Sequence, residues 1–131
     1  MVNDGSNDGG KTEELALSYG DRIRYFRKQN GGVSSALNLG IKKAEGEYIS
    51  WLSHDDCYMP NKIETQMDNL GEHSDRKNLI LFGDYEVIDE NSKFVRTHKT
   101  DLVEPDYLLY DLLTGWPVHG CTMLMPRSCF S

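Results

Sequence analysis

Apolar residues in this chain alternate between short runs and helical stripes. Val2 leads directly into Asn3-Asp4-Gly5-Ser6-Asn7-Asp8-Gly9, a turn-forming stretch that reads as the exit of a strand whose body is not in the chain. From Thr12 to Tyr19 the acidic Glu13 and Glu14 sit where a helix start favours negative charge, and Gly20 follows as a stop, so a short helix is expected. Ile23 to Phe26 reads as a strand, and Asn30-Gly31-Gly32 breaks the chain after it. Val33, Ala36, Leu37, Ile41 and Ala44 then recur at helical spacing, with Gly46 just past the end.

Tyr48 to Leu52 predicts another strand, closing on Ser53-His54-Asp55-Asp56. Pro60 suits the first turn of a further helix, with Ile63, Met67 and Leu70 as its buried face. Leu79 to Phe82 is a continuous apolar strand candidate. Tyr85 to Ile88 and Phe94-Val95 flank an Asp89-Glu90-Asn91-Ser92 turn, the pattern of a hairpin. Pro105 to Leu113 is expected to be helical and Cys121 to Met125 to be a last strand. Strands alternating with helices predict one α/β domain over residues 1–131 with a mainly parallel sheet. Ligands of such sheets sit at the carboxyl ends of the strands, where both polar clusters fall.

The composition is that of a globular domain: 131 residues, 38% hydrophobic and 27% charged. A formal net charge of -7, with Lys and Arg scattered along the chain, argues against nucleic acid as a partner. If the ligand is a small phosphate ester, an acidic chain needs positive charge from somewhere, and a divalent cation is the natural source. Cys57, Cys121 and Cys129 are odd in number and lack Cys-x-x-Cys spacing, so they read as reduced thiols. No apolar run approaches the ~20 residues that span a bilayer, and the polar start is no signal peptide. The expected setting is the cytoplasm.

Asp55 and Asp56 are neighbours, and neighbours on a strand face opposite ways. They can serve one site only where the strand has ended. Two close carboxylates repel unless a cation compensates, and a hard ion with oxygen ligands, Mg2+ or Mn2+, would do so. A capping turn before Pro60 is the structural alternative. The Asn3 to Gly9 segment can grip a base or ribose, or can be a tight strand-to-helix connection. Gly31-Gly32-Val33-Ser34-Ser35 lacks the Lys-Ser/Thr ending of a phosphate-gripping P-loop, and a P-loop is not the expected reading of the Asn3 to Gly9 segment, although it runs on into Gly10-Lys11-Thr12. His54, His119, Trp51 and Trp116 read first as local packing or hydrogen-bonding residues, with His54 also placed to face the ligand and His119 and Trp116 to line an acceptor cleft. Cys57 has no positive neighbour to activate its thiol.

Four blocks taken together, Val2-Asn3-Asp4-Gly5-Ser6-Asn7-Asp8-Gly9, Asn30-Gly31-Gly32-Val33-Ser34-Ser35-Ala36-Leu37-Asn38-Leu39-Gly40-Ile41, Ala44-Glu45-Gly46-Glu47-Tyr48-Ile49 and Leu52-Ser53-His54-Asp55-Asp56, resemble the family 2 glycosyltransferases of the GT-A fold in order and spacing. The match is weakest between Gly71 and Thr114. The resemblance implies a GT-A type, Rossmann-like α/β sheet with helices on both faces, incomplete at both ends. It implies transfer of a sugar from a nucleotide-sugar donor, usually a UDP-sugar, with inversion, to a hydroxyl of a carbohydrate or lipid-linked acceptor in polysaccharide or glycoconjugate assembly. Asn3, Asp4 and Ser6 would meet the base and ribose, and Asn38 would shape the pocket. Asp55 would reach the ribose or the metal, and Asp56 would coordinate the metal on the diphosphate.

Three positions depart from the pattern: Ser53 stands where an aspartate is usual, Leu37 where many members have arginine, and Asn3 where an aspartate is common. The resemblance also places the general base beyond Ser131, so the piece is expected not to turn over, and the full-length protein to work in the cytoplasm at the inner face of the membrane. A non-catalytic nucleotide-sugar-binding or structural module with the same fold is the competing expectation. A phosphatase or nucleotidyltransferase lacks its Asp-x-Asp pattern here.

Overall fold

A computed structural model of the chain describes residues 1–71, 73, 75–100, 110, 113 and 118–130. They form two compact units, Met1–Gly46 and Glu47–Ser131.

The first unit runs β1 (Val2–Asn3), α1 (Lys11–Ser18), β2 (Phe26–Arg27) and α2 (Val33–Lys43). β1 and β2 pair in parallel, Val2 opposite Phe26 and Asn3 opposite Arg27. A parallel pair needs a long crossover, and α1 supplies it. The helix starts from Gly10, whose φ of 89° is left-handed and gives no side-chain cap. Asp8 does the capping from two residues back, accepting the Thr12 N–H at 2.8 Å and the Thr12 hydroxyl at 2.5 Å. Those two donors hold the Asp8 carboxyl below its ordinary pKa. Ala16 is the buried residue of α1, and the helix closes at Tyr19 before Gly20 turns left-handed. α2 packs against β1 and ends with Lys42 and Lys43 in its last turn, where positive charge suits the helix dipole.

The second unit runs β3 (Tyr48–Ile49), α3 (Lys62–Gly71), β4 (Tyr85–Ile88), β5 (Phe94–His98) and β6 (Met125–Pro126). β4 and β5 form the expected hairpin, with a bulge between Val87 and Ile88. Its turn is held by the Asp89 carboxylate, which accepts the N–H of Asn91 at 2.8 Å and of Lys93 at 2.9 Å. β3 pairs with β6 in antiparallel fashion, Tyr48 opposite Pro126 and Ile49 opposite Met125. Leu81 and Leu124 exchange both backbone hydrogen bonds, at 3.0 and 2.8 Å. Leu70 and Leu124, 1% and 3% exposed, are buried apolar side chains of this unit, as is Pro126.

Several expectations change. The strand expected over Leu79 to Phe82 is a single bridge at Leu81, and Ile63 and Met67, expected on the buried face of α3, are 40% and 39% exposed. Among the described residues only β1 with β2 is parallel, and the other pairs are antiparallel. Periodicity reports which face of a strand is buried and says nothing of its partner, and β3 takes its partner from far along the chain. Of the strand expected over Cys121 to Met125, Leu124 and Met125 pair as strand residues, whereas its start is a turn over Gly120–Thr122, closed by the Thr122 N–H and hydroxyl, which both donate to the His119 carbonyl. The expected helix over Pro105 to Leu113 lies outside the described residues except for Tyr110 and Leu113, and Trp116 also lies outside them. No described helix is long and apolar enough to cross a membrane.

Leu70→Ala should cost about 2–5 kcal/mol in a urea melt, as expected for deleting a fully buried Leu side chain. Leu17→Ala, at a position 60% exposed, should change stability by no more than ~0.5 kcal/mol in the same measurement.

Candidate functional site

The polar turn after β1 holds itself together from inside. Asn3 is buried at 5% exposure; its Oδ1 accepts the Ser6 N–H at 2.8 Å and its Nδ2 donates to the Tyr25 hydroxyl at 2.9 Å. Asp4 accepts from Lys28 Nζ at 2.5 Å and from the Gly31 N–H at 3.1 Å. The Lys28 hydrogen bond is the main reason the Asp4 carboxyl stays below its ordinary pKa. Gly5 has φ +77°, and a β-carbon there would lie 2.8 Å from the Asn30 nitrogen, so this turn admits only glycine without strain. Beside it lies an open cavity of about 540 Å³ lined by Gly5, Arg27, Lys28, Gln29 and Asn30. Both cations in that lining are paired with carboxylates, Lys28 with Asp4 and Arg27 with Glu13 at 2.9 Å. Ser6 and Asn38 are exposed, Asn38 on α2.

In the second unit, the chain leaves β3 through Ser50 and Trp51 into the turn of Asp55 and Asp56. The Asp55 side chain is 71% exposed, with His54 Nδ1 3.8 Å from its oxygen. Asp56 is less exposed and meets residues from the far end of the chain. One ligand-capable atom each from Asp56, His119 and Cys121 lie within 4.8 Å of one another. His119 Nδ1 is 2.9 Å from Cys121 Sγ. Burial pushes the Cys121 thiol up from its ordinary pKa, and the charge of Asp56 and a hydrogen bond to it add to the shift. These three side chains could hold a metal ion.

Glycine makes this convergence possible. A β-carbon on Gly120 would lie 2.5 and 2.6 Å from two carbons of the Trp51 ring, so only a bare backbone brings His119 and Cys121 this close to the turn after β3. A polar network fixes the approach. Tyr58 hydrogen-bonds Ser50 Oγ at 2.8 Å and donates to the Trp51 carbonyl at 2.7 Å. Lys62 Nζ donates to Ser50 Oγ at 2.8 Å and sits 4.3 Å from the centre of the Tyr58 ring. Gln66 donates to the Thr122 carbonyl at 2.8 Å. Burial raises the Tyr58 pKa and lowers that of Lys62. The His119 ring leans on Tyr85, with centroids 5.2 Å apart and planes tilted by 43°.

The sequence reading therefore meets the structure unevenly. Asn3 and Asp4 stand in one turn as expected, and Asp56 stands in a cluster. Asp55 lies outside that cluster, and Lys28 and Cys121 were not singled out for the site. The signal for Cys121 was its spacing of one residue from His119, which lets both side chains reach one side of a turn.

Two predictions follow from this geometry. Gly120→Ala should lower stability by about 1–3 kcal/mol, because the added methyl forces Trp51 or the turn to move; thermal denaturation checks it. For Asp4, a carboxyl depressed by its Lys28 partner contributes stability that is fully present above its unfolded pKa and is lost as pH falls through the lower folded value. The Asp4 carboxyl carbon, followed by NMR, should titrate below an ordinary aspartate, and Lys28→Met should return it toward the ordinary range.

The model of the family described as glycosyl transferase family 2 matches residues 1–130. An uncharacterised glycosyltransferase of Rickettsia conorii is 55% identical over 134 residues, covering 99% of this chain and 22% of the relative. The minor teichoic acid biosynthesis protein GgaB of Bacillus subtilis is 36% identical over 121 residues, 83% of this chain and 13% of that protein. The glycosyltransferase GlyG of Streptococcus pneumoniae is 32% identical over 132 residues, 96% of this chain and 44% of that protein. The chain thus spans about a fifth of the length of the Rickettsia conorii relative.

Proposed function

This chain belongs to glycosyl transferase family 2, and we propose that it carries the donor-binding part of an inverting, metal-dependent glycosyltransferase that uses a nucleotide sugar, a UDP-sugar by preference. The match over residues 1–130 carries the reading. The parent enzyme's acceptor is a hydroxyl of a carbohydrate or lipid-linked glycan in surface polysaccharide assembly. The printed role of the GgaB relative in teichoic acid biosynthesis favours that class of product.

In this reading the turn after β1 takes the nucleoside. Asn3 shapes the turn through Ser6, and Asp4 accepts hydrogen bonds from ribose or base. Lys28 and Arg27, lining the cavity beside Gly5, supply positive charge to phosphate. They are candidates to fill the role left open by Leu37, where many family members carry arginine. In this reading Asn38, exposed on α2, shapes the donor pocket, Asp55 reaches the ribose or the cation, and Asp56 gives the cation its carboxylate. Asp56 would hold a divalent cation, which would supply positive charge for the nucleoside diphosphate leaving group. From carboxylate oxygen alone that ion would be magnesium or manganese.

The test is a panel of nucleotide sugars titrated into the chain with and without a divalent ion, read as a shift in melting temperature. Ligand at a hundred times its Kd stabilises by about 2.7 kcal/mol, an easily read shift. We expect a metal-dependent shift with a UDP-sugar that Asp4→Ala weakens at least tenfold and Asp56→Ala abolishes. If no nucleotide sugar shifts either this chain or its longer relatives, the reading fails. Binding without sugar transfer by the full-length parent would instead support a non-catalytic donor-binding module.

A further inference from the structure

We propose that Asp56, His119 and Cys121 form a mixed oxygen, nitrogen and sulfur site for a borderline transition ion of the zinc or cobalt class, with one coordination position left for a phosphate oxygen. The proposal deepens the reading of Asp56 as a metal ligand and rests on it for the role of the ion, though not for its binding.

The donor set makes the case. Magnesium demands oxygen ligands in a nearly ideal octahedron, so a thiol and an imidazole beside the carboxylate are the wrong neighbours for it. Zinc and its chemical relatives accept carboxylate, imidazole and thiolate together. At zinc bond lengths of about 2.0 to 2.3 Å, tetrahedral ligand atoms stand about 3.5 Å from one another. The three side chains bracket that spacing: His119 Nδ1 and Cys121 Sγ are 2.9 Å apart, and all three ligand atoms fall within 4.8 Å. Closing onto an ion requires shifts of about 1 Å or less, within the reach of small side-chain rotations.

The site is also built to be held. Gly120 sits on the Trp51 ring, Thr122 closes the turn onto His119, and Tyr85 backs the imidazole. Such outer contacts orient ligands and fix the imidazole before an ion arrives. On binding, the ion replaces the Cys121 proton, which passes to solvent, and Sγ coordinates as thiolate. Three protein ligands with a fourth position open is the pattern of zinc sites that act on a substrate, as opposed to closed structural ones.

Cobalt(II) is the probe, because thiolate ligation gives a charge-transfer band in the near ultraviolet that oxygen and nitrogen ligands do not. The chain should bind cobalt with that band, and one equivalent of zinc should remove it while a large excess of magnesium should not. Cys121→Ser should abolish the band, whereas Cys57→Ser and Cys129→Ser should leave it intact. His119→Ala should weaken cobalt at least tenfold. Since a variant can fail to fold, zinc protection of Cys121 against alkylation, mapped by mass spectrometry on the unaltered chain, gives a second reading and should single out that cysteine. Cobalt bound without the band, a band that survives Cys121→Ser, or magnesium displacing cobalt as readily as zinc would each overturn the proposal. A magnesium-dependent UDP-sugar shift indifferent to Cys121→Ser would overturn it too and leave the donor reading standing. The band with no donor binding to this chain or to its longer relatives would support the metal site and remove the donor reading.

Discussion

The second unit depends on β3 finding its partner in β6 rather than in a strand near it in sequence. That pairing draws residues 118–126 alongside the exit of β3, and the turn at Gly120 then settles on Trp51 at a distance no side chain tolerates. The cluster around Asp56 is a consequence of this packing. Ser50, Tyr58 and Lys62 tie the exit of β3 to the start of α3, and Lys62 also reaches the Met123 carbonyl at 3.4 Å. Partly buried polar groups that satisfy one another in this way are costly to pull apart singly, because each would leave a partner unpaired. The network therefore fixes the backbone that carries Asp56 as well as the backbone that meets it.

Much of this was legible beforehand, and the limits have physical causes. Both helices of the first unit announce themselves, α1 by its acidic first turn and Gly20, α2 by the stripe from Val33 to Ile41. The hairpin of Tyr85 to His98 follows from its turn residues. Such signals are local. The partner of β3, the single bridge at Leu81 and the turn over Gly120–Thr122 depend on contacts between distant residues, and no window of sequence contains both halves. The same division runs through the site. Asn3, Asp4 and Asp56 could be read because they lie at or after strand ends, Asn3 being the last residue of β1, whereas Cys121 and Lys28 acquire meaning only from what stands opposite them.

Charge shows how an acidic chain prepares for an anion. The net charge of -7 pointed to an added cation as the source of positive potential. The structure also keeps cations of its own beside the turn after β1. Lys28 rests on Asp4, and Arg27 rests on Glu13 at 2.9 Å. Both lysine and arginine are thus held in place by carboxylates at the rim of the cavity, so their ordering precedes any ligand. The pair of Arg27 with Glu13 is open to water and contributes little to stability, so its value lies in geometry, whereas the Lys28 and Asp4 side chains are only 20% and 21% exposed.

The asparagine at position 3 changes the direction of a hydrogen bond. Because the Ser6 N–H can only donate, it claims the carbonyl oxygen of the Asn3 amide, and the amide nitrogen must be the end that faces Tyr25. The tyrosine oxygen is thereby an acceptor, and its own proton is released to point elsewhere. An aspartate, common at this position among family members, has no donor and would draw that proton inward. One atom exchanged in a buried side chain thus turns a neighbouring hydroxyl from a closed contact into an available donor.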